Sequence, residues 1–469
     1  MVERAPLSFP MIFLGLGFLL GERGLGFIVV GPEGPVLESI AILTLALVLF
    51  LDAVRLEAEE VGNAGLVPML SLGPGTLMII AVVALGSNLL LGTTLIESLL
   101  LGTILASTDP VVLRDVIRND RIPRSLRRAL SIEAGTNDIV VLPILLVLIA
   151  VANAEAEGVV GWVTFAAQIL LLGPLVGFAL GAAGAWLMAK ADARFGISRE
   201  HQALYGIGLV LLAYAAAQSL GGDGFLAAFS AGFAVAVLNF ELCDCFLDYG
   251  ETTAEMTMLL AFVFFGAVIS TLVEEVPLFS TLVLAALVIF VARPVAIGLV
   301  LRRAAMSNAA KAFIGWFGPR GLNSLLLALL VLQSGVAGAE FLLAVAGVVV
   351  TVSVMMHGAS AGPLSALYGR AVERETHEEE RESTAAGLFA GGAGEILRLG
   401  PDELAEALES SRPPLVLDVR TRSQYERDPS RIPDSIRVVP DQVDQWAARW
   451  LAQHPDGQPH LRPIATYCT

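Results

Sequence analysis

Ser107-Thr108-Asp109-Pro110 and, about twenty-five residues on, Glu133-Ala134-Gly135-Thr136-Asn137-Asp138 are short polar stretches set inside long apolar runs. A charge at bilayer depth costs roughly 2.5–3.5 kcal/mol on insertion scales, so a carboxylate within a span marks a functional site. Pro110 lacks an N–H and pushes Asp109 out of the helical region, which frees nearby carbonyls. Irregular backbone survives at membrane depth only where protein buries it or a polar cavity borders it. Freed carbonyls and half-helix ends hold cations in carriers. The two stretches predict an ion site.

Outward from that site the chain reads as a polytopic membrane protein. It has 469 residues, 55% hydrophobic and 16% charged, with mean hydropathy +0.73, far above a soluble average. Twelve spans are predicted, near 8–29, 36–54, 65–87, 92–113, 129–152, 160–189, 202–219, 222–240, 255–273, 277–301, 309–333 and 338–367. Arg114, Arg118, Arg121, Arg124, Arg127 and Arg128 follow the fourth, Lys190, Arg194 and Arg199 the sixth, and Arg302, Arg303 and Lys311 the tenth. The intervening loops 153–159 and 334–337 have no Lys or Arg. The positive-inside rule therefore makes the basic side cytoplasmic, and the C-terminal tail emerges there. The expected location is the cell (inner) membrane, with the bilayer as partner. Glu3 and Arg4 stand where a removable leader has its basic region, so the first span is expected to insert the chain. The net charge of −16 argues against nucleic acid, and three cysteines make no disulfide framework.

A second interruption, Gly318-Pro319-Arg320-Gly321, falls in the eleventh span, seven spans after the first, and each broken span is followed by one more. That is the internal symmetry of inverted repeats. The symmetry asks for six spans in each repeat, so one N-terminal span is expected to be missing. The predicted fold class is an all-α polytopic membrane protein, an inverted-repeat fold with broken crossing helices, plus a small incomplete α/β tail. The domains are expected at 1–370, a membrane domain, 371–394, an acidic then Gly/Ala linker, and 395–469, the tail.

Leu49-Phe50-Leu51-Asp52, the Thr-Asp-Pro turn, the Glu-x-x-x-Asn-Asp run, Gly224-Phe225-Leu226-Ala227 to Gly232, and Gly318-Pro-Arg-Gly occur in order over residues 8–368. In this the chain resembles the monovalent cation:proton antiporters of the sodium/proton exchanger family, the NhaP-like branch. The resemblance implies a transport domain rocking against a dimerisation domain in a homodimer. It implies that Asp138 alternately binds cation and proton, that Thr108 supplies an ion ligand from the unwound helix, and that Asp109 is the aspartate beside it. Asp138 and Thr108 are thus the expected ligands of the transported metal ion, Na⁺, Li⁺ or K⁺. Asn137 stands where electrogenic relatives have a second Asp, which implies electroneutral exchange. Glu133 and Arg320 match the acid and base that steady the unwound core.

Residues alone lead the same way. A carboxylate that is charged to hold Na⁺ and neutral to carry H⁺ enforces exchange by competition. Glu133 and Asp138 lie five apart, about 140° around a helix, so Glu133 can pair with Arg320 while Asp138 faces the cavity. Where the family often has Ser after the Glu, this chain has Ala134; Thr136 or water are the candidate substitutes. Arg293, before Pro294, has two readings, a structural partner or no role. Asp52 is expected at a span end in water, His201 as an ordinary interfacial residue, and Cys243-Asp244-Cys245 as incidental.

Leu415-Val-Leu-Asp418-Val-Arg420, Tyr425-Glu426, Arg431-Ile-Pro-Asp-Ser435 and Ala465-Thr-Tyr-Cys468 resemble a rhodanese-like domain. In active members the cysteine opens a loop whose N–H groups cradle a persulfide anion. Here only Thr469 follows Cys468, and Arg431 stands for the usual His, so sulfurtransferase activity is not expected. A chain truncated at both ends fits these features. The function expected is secondary antiport, not enzyme catalysis, with no cofactor. The alternative is a membrane-embedded ion sensor controlling the tail, its transport lost.

Overall fold

The computed structural model describes residues 9–55, 69–110, 112–117, 119, 122–154, 158–238, 244–304, 306–375, 404, 408, 413–418, 431–438, 446, 450 and 464–467. The chain divides into two compact units, Met1–Gly391 and Gly392–Thr469.

The described residues of the first unit are mostly helical. In order come α1 (Phe9–Leu20), α2 (Pro35–Arg55), α3 (Thr76–Leu91), α4 (Leu95–Ile104), α5 (Arg114–Ile117), α6 (Arg124–Ala152), α7 (Gly158–Ala167) and α8 (Gly173–Phe195). They are followed by α9 (Arg199–Ser219), α10 (Gly224–Val237), α11 (Asp244–Leu272), α12 (Leu278–Leu287), α13 (Arg293–Val300), α14 (Asn308–Trp316), α15 (Leu322–Gln333) and α16 (Ala339–Glu375). Wide π turns at Ser71–Gly75, Gln168–Leu172 and Val288–Ala292 lead into α3, α8 and α13. The first contains Pro74, and the other two end two residues before Pro174 and Pro294. A proline cannot make the i→i−4 bond and crowds the carbonyl there, so the helix widens by one residue and continues. Residues 158–195 and 278–300 thereby run as single apolar spans.

Among the described residues eight helices are long and apolar enough to cross a membrane, and α1, α4, α10 and α15 are shorter apolar helices. The first predicted span ends early, because the backbone folds back after Leu20, with Leu25 N–H donating to Leu19 O. The fourth and eleventh are short because they break. Thr94 and Glu97 close a capping box that starts α4, and Ser307 caps α14. Beyond Ile104 and beyond Trp316 the chain leaves the helix, and the two irregular segments cross, joined by Asp109 N–H donating to Pro319 O at 3.0 Å. The site sits at this crossing.

Around it, α8 lays Gly173, Gly177 and Gly181 directly on the backbone of Asp223, Ala227 and Ala231 of α10. Lipid tails are as apolar as leucine, so small residues that let backbones approach drive such packing. The opposite side of α7 and α8 exposes Val160, Val163, Leu171, Leu175 and Leu187.

In the second unit, β1 (Leu415–Asp418) lies between β2 (Ile436–Arg437) and β3 (Ile464–Tyr467), both parallel to it. Leu417 pairs with Ile436, and Leu415 with Ile464. Parallel neighbours require crossover connections, the mark of an α/β unit. Val416 and Leu417 are buried. The 376–394 stretch of the expected linker, Cys243 and Cys468 lie outside the described residues.

Gly177→Leu is expected to force α8 off α10 and lower the melting temperature in detergent by at least about 2–4 °C. Leu187→Ala, on the exposed face, is expected to leave it unchanged; equal losses would contradict the packing role.

Candidate functional site at the helix crossing

The broken strands exchange charges. Asp109 is fully buried, and its Oδ2 accepts a bond from Leu322 N–H at 2.8 Å. Gly321 is the cap residue of α15 and brings no capping side chain, so Asp109 supplies the cap from the other strand. A Cβ at position 321 would land on the Asp109 carboxylate, which is why glycine stands there. In return the buried Arg320 donates through Nη1 to Ala106 O at 2.7 Å and Ser107 O at 3.1 Å, just past the end of α4. A helix leaves unpaired N–H groups at its start and unpaired carbonyls at its end. An acid is therefore favoured at the first and a base at the second. From α16, Ser353 Oγ accepts from Arg320 N–H at 2.8 Å, and His357 places its ring nitrogens 2.8 Å from Ser353 O and 3.0 Å from Trp316 O.

Glu133 does not pair with Arg320 as the sequence predicted. Its carboxylate holds Arg293 of α13 in a bidentate ion pair, at 2.6 and 2.9 Å, with both residues buried. Arg293 Nε also donates to Ile314 O at 3.2 Å. Arg320 is held at the carbonyls after α4 by its Nη1, with its Nη2 left without a hydrogen-bond partner among the described residues, whereas Arg293 presents its planar fork squarely to Glu133. Gly318 closes over the Arg293 side chain, with which a Cβ would collide. The two glycines of the second break thus admit Asp109 and Arg293 respectively.

Asp138 has a third kind of environment. It is 4% exposed on α6, its Oδ1 accepts from Ser107 Oγ and its Oδ2 from Asn323 Nδ2, each at 2.7 Å. Both donors are neutral, and no lysine or arginine among the described residues forms an ion pair with it. Beside it, Asn137 donates to Ala106 O at 3.2 Å and Thr108 Oγ1 at 3.0 Å, which ties α6 to the first break. Among the described residues the Asn137 and Asn323 amide oxygens have no hydrogen-bond partner, although both side chains are buried. Hydroxyl, amide and single carboxylate oxygens suit a hard monovalent cation. Among the described residues no three His, Cys, Asp or Glu side chains gather into a metal-binding cluster.

The crossing brings together Thr108, Asp109, Glu133, Asn137, Asp138 and Arg320. Besides the partner of Glu133, two further expectations change. Thr136 turns its hydroxyl back to Ile132 O on its own helix and does not replace the hydroxyl that Ala134 lacks. Asp52 is not at a watery span end: α2 continues past it, and it is 8% exposed, with Oδ1 3.9 Å from where a Cβ on Gly135 of α6 would lie. His201 is exposed, with Nδ1 2.6 Å from Ser198 Oγ. Sequence reasoning left Arg293 open and passed over Asn323, a polar residue just beyond the second break in an otherwise apolar run.

Crossed broken helices around a buried carboxylate, within a unit rich in helices long and apolar enough to cross a membrane, set the class of protein to which the chain is compared. Residues 1–367 match the family model of the sodium/hydrogen exchanger transmembrane region, and the chain belongs to that family. Residues 400–469 match the rhodanese-like domain. The chain is 28% identical over 377 residues to the K⁺/H⁺ antiporter NhaP of Alkalimonas amylolytica, covering 79% of this chain and 64% of that one. It is 28% identical over 366 residues to the K⁺/H⁺ antiporter NhaP2 of Shewanella sp. (strain ANA-3), covering 76% and 62%. The alignments thus span somewhat under two thirds of those relatives' length. The solved structure of the sodium proton antiporter MjNhaP1 from Methanocaldococcus jannaschii at pH 8 has the same fold. Its TM-score is 0.61 at 20% identity, covering 76% of this chain and 91% of that one.

Removing one member of the buried Glu133–Arg293 pair is expected to cost about 3–5 kcal/mol, because the other charge is left uncompensated. Glu133→Leu should therefore melt well below wild type, and Glu133→Leu with Arg293→Met should recover most of the loss. Equal melting of single and double variants would show that the pair is not coupled.

Proposed function

We propose that this chain is a secondary antiporter that exchanges protons for a monovalent cation by competition at Asp138. The observation that carries this reading is the contrast among the three buried acids of the crossing. Glu133 has Arg293, and Asp109 has the start of α15, but Asp138 has only neutral donors. An uncompensated buried charge costs several kcal/mol. Asp138 is therefore stable when a proton neutralises it or when a mobile cation sits against it, and the two exclude one another. Thr108 and Asn137 lie beside it as further oxygen ligands, while Asp109, Glu133, Arg293 and Arg320 hold the strands that position them.

Asn137 supplies an amide where a second carboxylate would add charge, so one cation exchanges for one proton and no net charge moves. Family membership and the names of the relatives support antiport, with K⁺ named for the antiporters of Alkalimonas and Shewanella and sodium for the archaeal one. The basic loops support a cytoplasmic tail, and family resemblance supports a homodimer. In this reading residues 1–370 carry transport, 371–394 link, and 395–469 form a rhodanese-like domain.

The test is reconstitution into liposomes loaded with a pH-sensitive dye, with Na⁺, Li⁺ or K⁺ added outside. Wild type is expected to couple at least one cation to a change in internal pH, at a rate insensitive to an imposed membrane potential. Asp138→Asn, which cannot alternate between charged and neutral, is expected to fall to the protein-free background. Folded, inserted wild-type protein that gives no pH change with any of the three cations would overturn the reading.

A further inference from the structure

The exchange site lacks one hydroxyl that its own helix could have supplied. Ala134 has no polar atom, and the Thr136 hydroxyl is turned to Ile132 O. Another helix, α15, brings a polar side chain to the same carboxylate. Asn323 is the second residue of α15, is 1% exposed, and reaches Asp138 Oδ2 at 2.7 Å. Its donor is thereby used, yet its amide oxygen has no partner among the described residues. Burying an amide oxygen without a partner costs roughly 1–3 kcal/mol, so such an atom beside a carboxylate calls for a ligand. A proton donor from the protein would serve, but none is bonded to it among the described residues: Arg320 donates through Nη1 to Ala106 and Ser107 while its Nη2 has no partner, and Arg293 donates to Glu133 and Ile314.

We propose that Asn323 is a cation ligand of the exchange site, its amide oxygen replacing the hydroxyl that position 134 does not provide. The inference rests on the antiport reading for its cation, which is a hard monovalent ion held first by Asp138. Asn137 and Asn323 then flank the carboxylate from two helices, α6 and α15, each with a buried amide oxygen left over. A ligand carried on α15 also ties cation binding to the helix whose first turn Asp109 caps. Removal of Asn323 should therefore weaken cation binding itself rather than loosen the fold.

The experiment uses the full chain and two independent readouts, exchange in proteoliposomes and protection against thermal unfolding by NaCl, LiCl or KCl at constant ionic strength with choline chloride. Asn323→Ala is expected to raise the KM for the transported cation about tenfold or more, the scale of one bond to a charged group, with a smaller change in maximal rate. Its cation-dependent protection should shrink in parallel. Ala134→Ser combined with Asn323→Ala is expected to recover a large part of both, since it restores a hydroxyl from the other strand. Should Asn323→Ala fail to fold, Asn323→Ser takes its place with the same criteria. Unchanged KM and unchanged protection in a folded variant would overturn the assignment. Wild type that exchanges no ions but is protected by a cation in an Asn323-dependent way would sink the antiport reading and keep the ligand. Wild type protected by none of the three salts would sink the ligand.

Discussion

Two irregular strands crossing inside a membrane protein depend on one electrostatic constraint, that the ends of four half-helices carry partial charges with no water to solvate them. The crossing meets it by exchange. Asp109, on the first strand, caps the start of α15, and Arg320, on the second, closes the carbonyls that follow α4. Each strand thus supplies the group that the other strand's helix end lacks. Asp109 N–H bonded to Pro319 O then sets how closely the strands approach. Gly318 and Gly321 keep that approach open, since a Cβ at either would collide with Arg293 or with Asp109.

Once the crossing is fixed, the acids sort by what faces them. Glu133 spends its charge on Arg293 and joins α6 to α13, a permanent structural bond. Asp109 is consumed at a helix start. Asp138 is met by neutral side chains, Ser107 from one strand and Asn323 of α15, with neither an arginine nor a helix start against it, which is what the proposed exchange needs. A carboxylate is bound into the scaffold in two places and, in the proposed reading, is the working group in the third. The difference is made by partners, not by depth, because all three are buried.

Much of this was legible in residues. Proline and glycine within long apolar runs announced both breaks, and the Glu-x-x-x-Asn-Asp run placed Asp138 and Asn137 on one helix. The apolar stretch before Asp418 announced β1. The partner of Glu133 was not legible. Arg293 and Arg320 are both arginines beside a proline late in the chain, and helical spacing tells which way Glu133 points, not which guanidinium arrives. Asp52 was misplaced because the span does end within a turn of it, as hydropathy indicates, yet it lies beside Gly135 of α6 and is buried there, a neighbour that hydropathy does not reveal.

By itself, then, the sequence determined the apolar spans, the two interruptions and the carboxylate at the centre, because these follow from local chain chemistry in a bilayer: apolar residues must cross, and proline must break. Only the tertiary structure decided which charges pair and which stay unpaired. Glu133 meets Arg293 across 160 residues, and Asn323 meets Asp138 across 185. Those choices depend on the crossing angle and separation of strands distant in the chain, which no local pattern encodes.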